Sequence, residues 1–161
     1  MTVLLVTAPQ GREGDAVLEL EWALGRVRVR GTEWKGVLLA ETPLSREEAI
    51  ERLRGFETQA LQRVIPLDVI VPAGRGEIER AALELAKRID GTFAVRVRVR
   101  GNKNLSGREL EVGMGSLIVE CFGYGVNLSD PDCTVVVEVL GKRAGVGVVK
   151  RGELLRLDVV D

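Results

Sequence analysis

The chain has no histidine among its 161 residues. That excludes Ser-His-Asp and Cys-His nucleophilic catalysis, histidine-ligated zinc, and proton shuttling by an imidazole at neutral pH. Cysteine is scarce too. Cys121 and Cys133 are the only two, too few for a structural zinc site and not spaced Cys-x-x-Cys. Cys121 falls on the apolar side of a predicted helix, so a buried free thiol is expected there. A disulfide is the alternative for a hyperthermophile source, towards which abundant Arg and Glu with few Gln and Asn lean. Aromatic residues make up 4% of the chain. Stacking platforms for single-stranded bases need several exposed rings, so any nucleic-acid contact is expected to read backbone and shape. Phe93 and Tyr124 are the candidate rings, although core or turn roles suit them better.

Long apolar runs are also missing. No stretch approaches the roughly 20 residues of a membrane span. The opening segment MTVLLVTAP lacks a basic n-region and reads as a first strand, not a signal peptide. The expectation is a cytoplasmic protein with no membrane partner. No cofactor is expected. Gly145-Val146-Gly147 lies in a predicted hairpin and completes neither Gly-x-Gly-x-x-Gly nor a phosphate-loop pattern. Asp130-x-Asp132 reads as turn chemistry, since nothing nearby supplies further oxygen ligands, so neither a metal site nor a catalytic set is expected.

What is present fits one domain or two small ones, at 45% hydrophobic and 29% charged residues. Thr2 to Ala8 predicts a strand, and Asp15 a helix cap with Val17, Leu20 and Leu24 inward. Val27 to Arg30 and Lys35 to Glu41 predict a hairpin. Ser45-Arg46-Glu47-Glu48 is a capping box for a helix, and Gln62 to Val71 predicts one apolar strand. The order β-α-β-β-α-β is that of a ferredoxin-like fold. Pro72 to Gly76 punctuates the chain, giving expected domains of residues 1–72 and 73–161.

Ile78, Ala81, Ala82, Leu85, Ala86 and Ile89 then form a core-facing helical stripe. After Asp90-Gly91 comes a strand in which Val95, Val97 and Val99 share one face and Arg96, Arg98 and Arg100 the other. Ser106-Gly107-Arg108-Glu109 caps a second helix with Leu110, Met114, Leu117, Ile118 and Cys121 inward. Val126 to Leu128 predicts a short strand. Thr134 to Leu140 and Ala144 to Lys150 predict a hairpin, and Leu154 to Val159 a last strand.

Seven basic residues lie from Lys87 to Arg108 against a single acid, Asp90, while the whole chain carries a net charge of only −1. A local basic patch on a near-neutral chain points to a polyanion. Arg96, Arg98 and Arg100 are candidates for successive phosphates, with a solvated strand face as the alternative. Arg28 and Arg30 alternate in the same way, but Glu21, Glu33 and Glu41 are near in sequence and favour the solvated face. Asn102, Lys103 and Asn104 lead to a helix N-terminus, itself an anion site. Gly107 there gives a phosphate access to the backbone, and Arg108 adds charge. Lys142 and Arg143 on the predicted hairpin tip extend the basic set. Gly113 and Gly115 lie mid-helix, where each costs about 1 kcal/mol relative to alanine. Close packing and close approach by RNA account for them equally well.

From about Ile78 to Val149 the sequence resembles a THUMP domain, the RNA-binding module of tRNA-modifying enzymes. The residues that carry the resemblance are Phe93-x-Val95-Arg96-x-Arg98, Gly113-x-Gly115-x-x-Ile118, Val126-Asn127-Leu128-x-x-Pro131-Asp132 and Val135-x-Val137-x-Val139. Asn127 stands where the family more often has Asp. The resemblance implies an α/β (α+β) chain, an N-terminal ferredoxin-like unit followed by a THUMP α/β domain. It further implies that the 101–108 neighbourhood helps hold the single-stranded 3′ CCA end of tRNA. With the sequence ending at Asp161, it implies an archaeal-type stand-alone member. Such a protein would be a non-catalytic adaptor that presents tRNA to a separate tRNA-modifying catalytic subunit, of which a cytidine acetyltransferase is the example the resemblance supplies. A small enzyme, with Asp/Glu, Lys or Cys chemistry, and a protein-docking subunit of an RNA-processing complex are the alternatives.

Overall fold

The computed structural model of the chain describes residues 1–157. It divides into two compact units, Met1–Pro66 together with the segment from Gly152 onward, and Leu67–Arg151.

The first unit runs β1 (Thr2–Thr7), α1 (Glu13–Leu24), β2 (Arg28–Gly31), β3 (Val37–Thr42), α2 (Arg46–Gly55), β4 (Arg63–Leu67) and, from the far end of the chain, β9 (Leu155–Arg156). The sheet order is β2-β3-β1-β4-β9. The apolar β1 is central and pairs antiparallel with β3, Thr2 opposite Thr42. Leu4, Val6, Leu20, Leu24, Leu53 and Leu61 fill the core. The Ser45 capping box forms as expected, its hydroxyl accepting from the Glu48 N–H at 3.2 Å. α1 starts two residues before Asp15, with Arg12 at the cap and Glu13 and Asp15 in its first turn, where acids favour the positive helix end. Arg30 reaches Glu41 at 3.4 Å, so this pair of alternating arginines has an acidic neighbour on its own sheet. The strand expected up to Val159 is short, and its residues 158 and 159 lie outside the described ones.

Glu19 was not foreseen as a structural residue. It is 6% exposed, and its carboxylate accepts from the backbone N–H groups of Gln59, Ala60 and Leu61 at 2.5, 2.9 and 3.0 Å. One side chain from α1 thus satisfies the backbone donors of the segment entering β4, which would otherwise be buried without partners.

The second unit runs β5 (Val69–Pro72), α3 (Arg75–Ala86), β6 (Phe93–Arg100), α4 (Gly107–Phe122), β7 (Cys133–Leu140) and β8 (Arg143–Lys150), in the sheet order β5-β8-β7-β6. β6 and β7 are parallel, which requires a crossover, and α4 is that crossover. β7–β8 is an antiparallel hairpin. The odd-numbered valines of β6 and β7 face α3 and α4, and Phe93, Met114, Ile118 and Val137 are buried among them at 1% exposure or less. α4 is capped by the Ser106 hydroxyl, which accepts from the Glu109 N–H at 3.2 Å, and ends at Gly123 in the left-handed region (φ 73°).

Three expectations change. The single strand foreseen over 62–71 is two strands in different sheets, β4 and β5, because Asp68 diverts the chain. Its N–H donates to the Val146 carbonyl and its carboxylate accepts from the Val148 N–H, both at 2.9 Å. The compact units therefore divide at Pro66/Leu67, ahead of the expected residue 72, and the C-terminal segment returns to the first sheet. Cys121 is exposed, not buried, and both cysteines are free thiols. The inward stripe of α4 is Leu110, Met114 and Ile118, and position 121 falls past its edge. Among the described residues no helix is long and apolar enough to cross a membrane.

Candidate nucleic-acid interface

The basic residues foreseen in two stretches of sequence meet at one end of the second sheet. β6 ends at Arg100, whose carbonyl accepts from the Gly141 N–H at 2.8 Å. The Asn102 amide donates to the Gly141 carbonyl at 3.0 Å, and its oxygen accepts from the Asn104 N–H at 3.0 Å. These bonds tie the 101–104 turn to the tip of the β7–β8 hairpin. Lys103 and Arg108 therefore come to the same end as Lys142 and Arg143. α3 also starts there, since the Ala73 N–H donates to the Lys142 carbonyl at 2.8 Å. Two helix N-termini, each with its partial positive charge, add to four exposed cations.

The arginine stripe does not behave as one unit. Arg98 is exposed, and among the described residues it has neither an ion-pair nor a hydrogen-bond partner. Arg96 donates to the carbonyls of Leu128 at 2.5 Å and Val95 at 3.3 Å. Those neutral partners hold the guanidinium in place and leave its charge uncompensated. Arg100 differs. It pairs with Glu138 at 2.9 Å, with side chains 16% and 5% exposed. Glu138 projects from an otherwise apolar β7, and its burial is tolerable because the guanidinium meets it. Arg100 is thus a structural cation and does not offer a free phosphate site. The Asn102 side chain is engaged in the turn it organises, whereas Asn104 gives only its backbone N–H to that turn and keeps an exposed side chain. Gly107 faces the strand, where a β-carbon would stand 3.4 Å from the Val97 carbonyl oxygen. That is an ordinary van der Waals distance, so helix-on-strand packing does not by itself demand a glycine there.

The VNLSDPD corner is built by side-chain caps. The Asn127 oxygen accepts from the N–H groups of Ser129 and Asp130 at 3.2 and 3.0 Å. The expected strand over 126–128 is a single bridge between Val126 and Phe93. Phe122 and Tyr124 stack at 5.2 Å beside Phe93, so the candidate rings serve packing. Asp132 accepts from the Thr92 N–H at 2.9 Å and the Thr92 hydroxyl at 3.0 Å. These bonds, with Arg151 nearby, hold its carboxyl below the usual aspartate range. A depressed folded-state value means that the contribution is complete above the ordinary aspartate value and is lost as pH falls through the folded one. Asp132→Asn is therefore less stable than the parent at neutral pH, and the gap narrows below about pH 3.8. Melting temperatures from pH 7 to pH 2 check this, and a gap independent of pH contradicts it. Among the described residues no three of Cys, Asp and Glu are grouped to hold a metal ion.

Sequence reasoning missed a cleft of about 640 Å³ between the outer side of α4, the free edge of β6 and the 126–128 segment. Val112, Val126 and Leu128 line it at 61, 52 and 66% exposure. Gly115 opens onto it, and a β-carbon there would meet nothing within 4 Å. Close packing thus does not account for Gly115. Gly113 faces the tip of the Arg75 side chain instead. The available signal was a helical glycine flanked at −3 and +4 by Val112 and Val119, on the side away from the core stripe.

Comparison with known proteins follows this geometry. Residues 76–149 match the family described as the THUMP domain. No curated protein matches the chain. Among solved structures it is similar to TrmN from Thermus thermophilus, with TM-score 0.70 and 21% identity over 92% of this chain and 45% of that one. It is also similar to a 4-thiouridine synthetase in complex with RNA and bound ATP (TM-score 0.65, 16% identity, 97% of this chain and 42% of that one). A third is a predicted N6-adenine-specific DNA methylase from Listeria monocytogenes (TM-score 0.66, 16% identity, 91% and 40%). The chain spans less than half the length of each of these three. These likenesses overturn the expectation of a non-catalytic adaptor that relies on a separate modifying subunit. The same fold is a portion of proteins described as a synthetase and a methylase, and the position of Asp161 carries no weight against that.

Proposed function

Starting from a chain whose residues 76–149 are a THUMP domain, we propose that this protein acts in RNA modification as an enzyme, and that the residues described here bind its RNA substrate. The substrate is a tRNA, held by its phosphates at the end of the second sheet where Lys103, Arg108, Lys142 and Arg143 converge. Arg96 and Arg98 continue the contact along β6. The first unit, with its β-α-β-β-α-β order and strands in the sequence 2-3-1-4, is proposed to be ferredoxin-like. The observation that carries the reading is the gathering of exposed cations without carboxylate partners at one end of a near-neutral molecule. The solved likenesses support the reaction class, since one is described as a 4-thiouridine synthetase bound to RNA and ATP and another as a methylase.

The test is the affinity for whole tRNA across a salt series. Six phosphate contacts give a slope of log affinity against log salt of about −4 to −5.5, and so a loss of more than about three-hundredfold between 50 and 200 mM salt. Absence of binding, or affinity indifferent to salt, overturns the proposal.

A further inference from the structure

We infer that the exposed face of α1 is a self-association surface, on which two copies of this chain meet through antiparallel α1 helices, Leu18 of each against Trp22 of the other. The inference concerns the first unit alone and does not depend on RNA binding.

Tryptophan is highly buried on average and is enriched at the centres of interfaces. Trp22 is 67% exposed and Leu18 45%. Among the described residues of the first unit, no other large apolar side chain is exposed except the terminal Met1. The two are one turn apart on α1, so they stand one above the other on the same face. Ala16, Leu20, Ala23 and Leu24 already bury the other side of the helix in the core. A helix with one face to bury would carry polar residues at positions 18 and 22. Gly14 continues the row one turn before Leu18, and a β-carbon there would meet nothing within 4 Å. A second helix can therefore come close along this row.

Charge selects the occupant. Asp15 and Glu21 stand on either flank of Leu18 and are exposed, so they repel the phosphates of a nucleic acid. Asp15 makes one long ion pair, with Arg12 at 3.5 Å. Arg26 follows the end of α1. It is exposed, and its side chain makes no hydrogen bond or ion pair among the described residues. The face thus carries an acid at one end and an unpaired cation at the other, which makes it its own complement. About a two-fold axis midway between Leu18 and Trp22, Asp15 lies as far before the axis as Gly25 lies after it. Asp15 of one copy therefore comes to the Gly25–Arg26 end of the other. The pair is isologous and closed, with each contact made twice. Antiparallel helices also set the positive start of one beside the negative end of the other.

Two apolar anchors per copy with polar flanks fall short of the roughly 1,600 Å² of a standard interface. The pair is accordingly weak, with a dissociation constant on the order of 100 μM.

Sedimentation equilibrium of the whole chain from about 10 μM to about 1 mM is the test. The average mass of the parent climbs towards that of a dimer. Trp22→Lys weakens association by at least about a hundredfold, because an anchor is lost twice per pair. Its melting temperature stays within about 4 °C of the parent's, as befits an exposed position. Asp15→Arg and Arg26→Asp each weaken association by about tenfold, since each sets like charges together at both ends of the pair. Exchanging the two in one chain, Asp15→Arg with Arg26→Asp, keeps the net charge and restores the parent's affinity to within about threefold. Should the Asp15 variants fail to fold, Trp22→Lys and Arg26→Asp decide alone. A parent that stays monomeric at the highest concentration, association that survives Trp22→Lys, or a folded double exchange no tighter than the single variants overturns the inference. A monomeric parent in which Trp22→Lys lowers tRNA affinity overturns it too, and makes the stripe an RNA contact.

Discussion

Reversing Arg98 and Arg108 together to glutamate lowers tRNA affinity by more than about a hundredfold at 100 mM salt and makes the salt slope shallower by about 1.5 to 2. Each substitution removes one phosphate contact and places an anion against the backbone. Both side chains are exposed and make no hydrogen bond or ion pair among the described residues. Position 98, however, lies opposite Glu138 across the β6–β7 pair, so Arg98→Glu sets two carboxylates side by side and lowers the melting temperature. Arg98→Ala with Arg108→Glu, which avoids that, separates lost binding from lost stability. Two controls give the result its meaning. Arg30→Glu, on the first unit, alternates in the same way but lies beside Glu41, and it should change affinity by no more than about threefold. Arg100→Ala should behave as a stability variant, because it removes the guanidinium that meets the buried Glu138 carboxylate at 2.9 Å. Unchanged affinity in a folded double variant would show that RNA, if bound, goes elsewhere.

Glu19→Ala destabilises the first unit by about 3 to 5 kcal/mol, since it leaves three backbone donors without their acceptor and each unsatisfied buried group costs about 1 to 3 kcal/mol. The distribution of tryptophan makes this measurable by unit. Both tryptophans of the chain, Trp22 and Trp34, lie in the first unit, so urea unfolding followed by tryptophan fluorescence reports on it alone. A lower midpoint with an unchanged slope is the expected signature. Glu19→Gln keeps the volume but turns one acceptor into a donor facing N–H groups, and should fall between the parent and the alanine variant. A midpoint shift of less than about 1 kcal/mol in Glu19→Ala would mean that water satisfies the 59–61 backbone as well as the carboxylate does.

Much of the architecture was legible because it depends on local rules. Alternation in 93–100 gave a strand with two unlike faces, and the Ser45 and Ser106 boxes gave two helix starts to the residue. The stripe from Ile78 onward gave the helix over the second core. Errors fell where a distant group decided the outcome. The run 62–71 is uniformly apolar, so nothing local says that Asp68 will bond with β8 and send its halves into different sheets. Position 121 sits at the border of a helical stripe, where a single step decides between core and solvent. The adaptor expectation failed for a different reason, since it drew on the end of a sequence, and a fold shared with much longer proteins gives that end no functional meaning.

The site was half legible in the same sense. By itself the sequence determined which residues carry charge, that Arg96, Arg98 and Arg100 share a face, and that histidine chemistry is absent, because composition and strand periodicity do not depend on partners. Tertiary structure alone decided which cations remain free. Glu138 is 38 residues from Arg100 in sequence and 2.9 Å from it in space, whereas the exposed Arg98, although opposite Glu138 in register, makes no ion pair with it. It alone joined the 101–108 turn to the 141–143 hairpin tip, through hydrogen bonds that span about 40 positions. It alone showed that Gly115 opens onto a cleft and Gly107 onto a strand. Side-chain type is a local property, but charge compensation and empty space belong to pairs of surfaces, which exist only once the chain has folded.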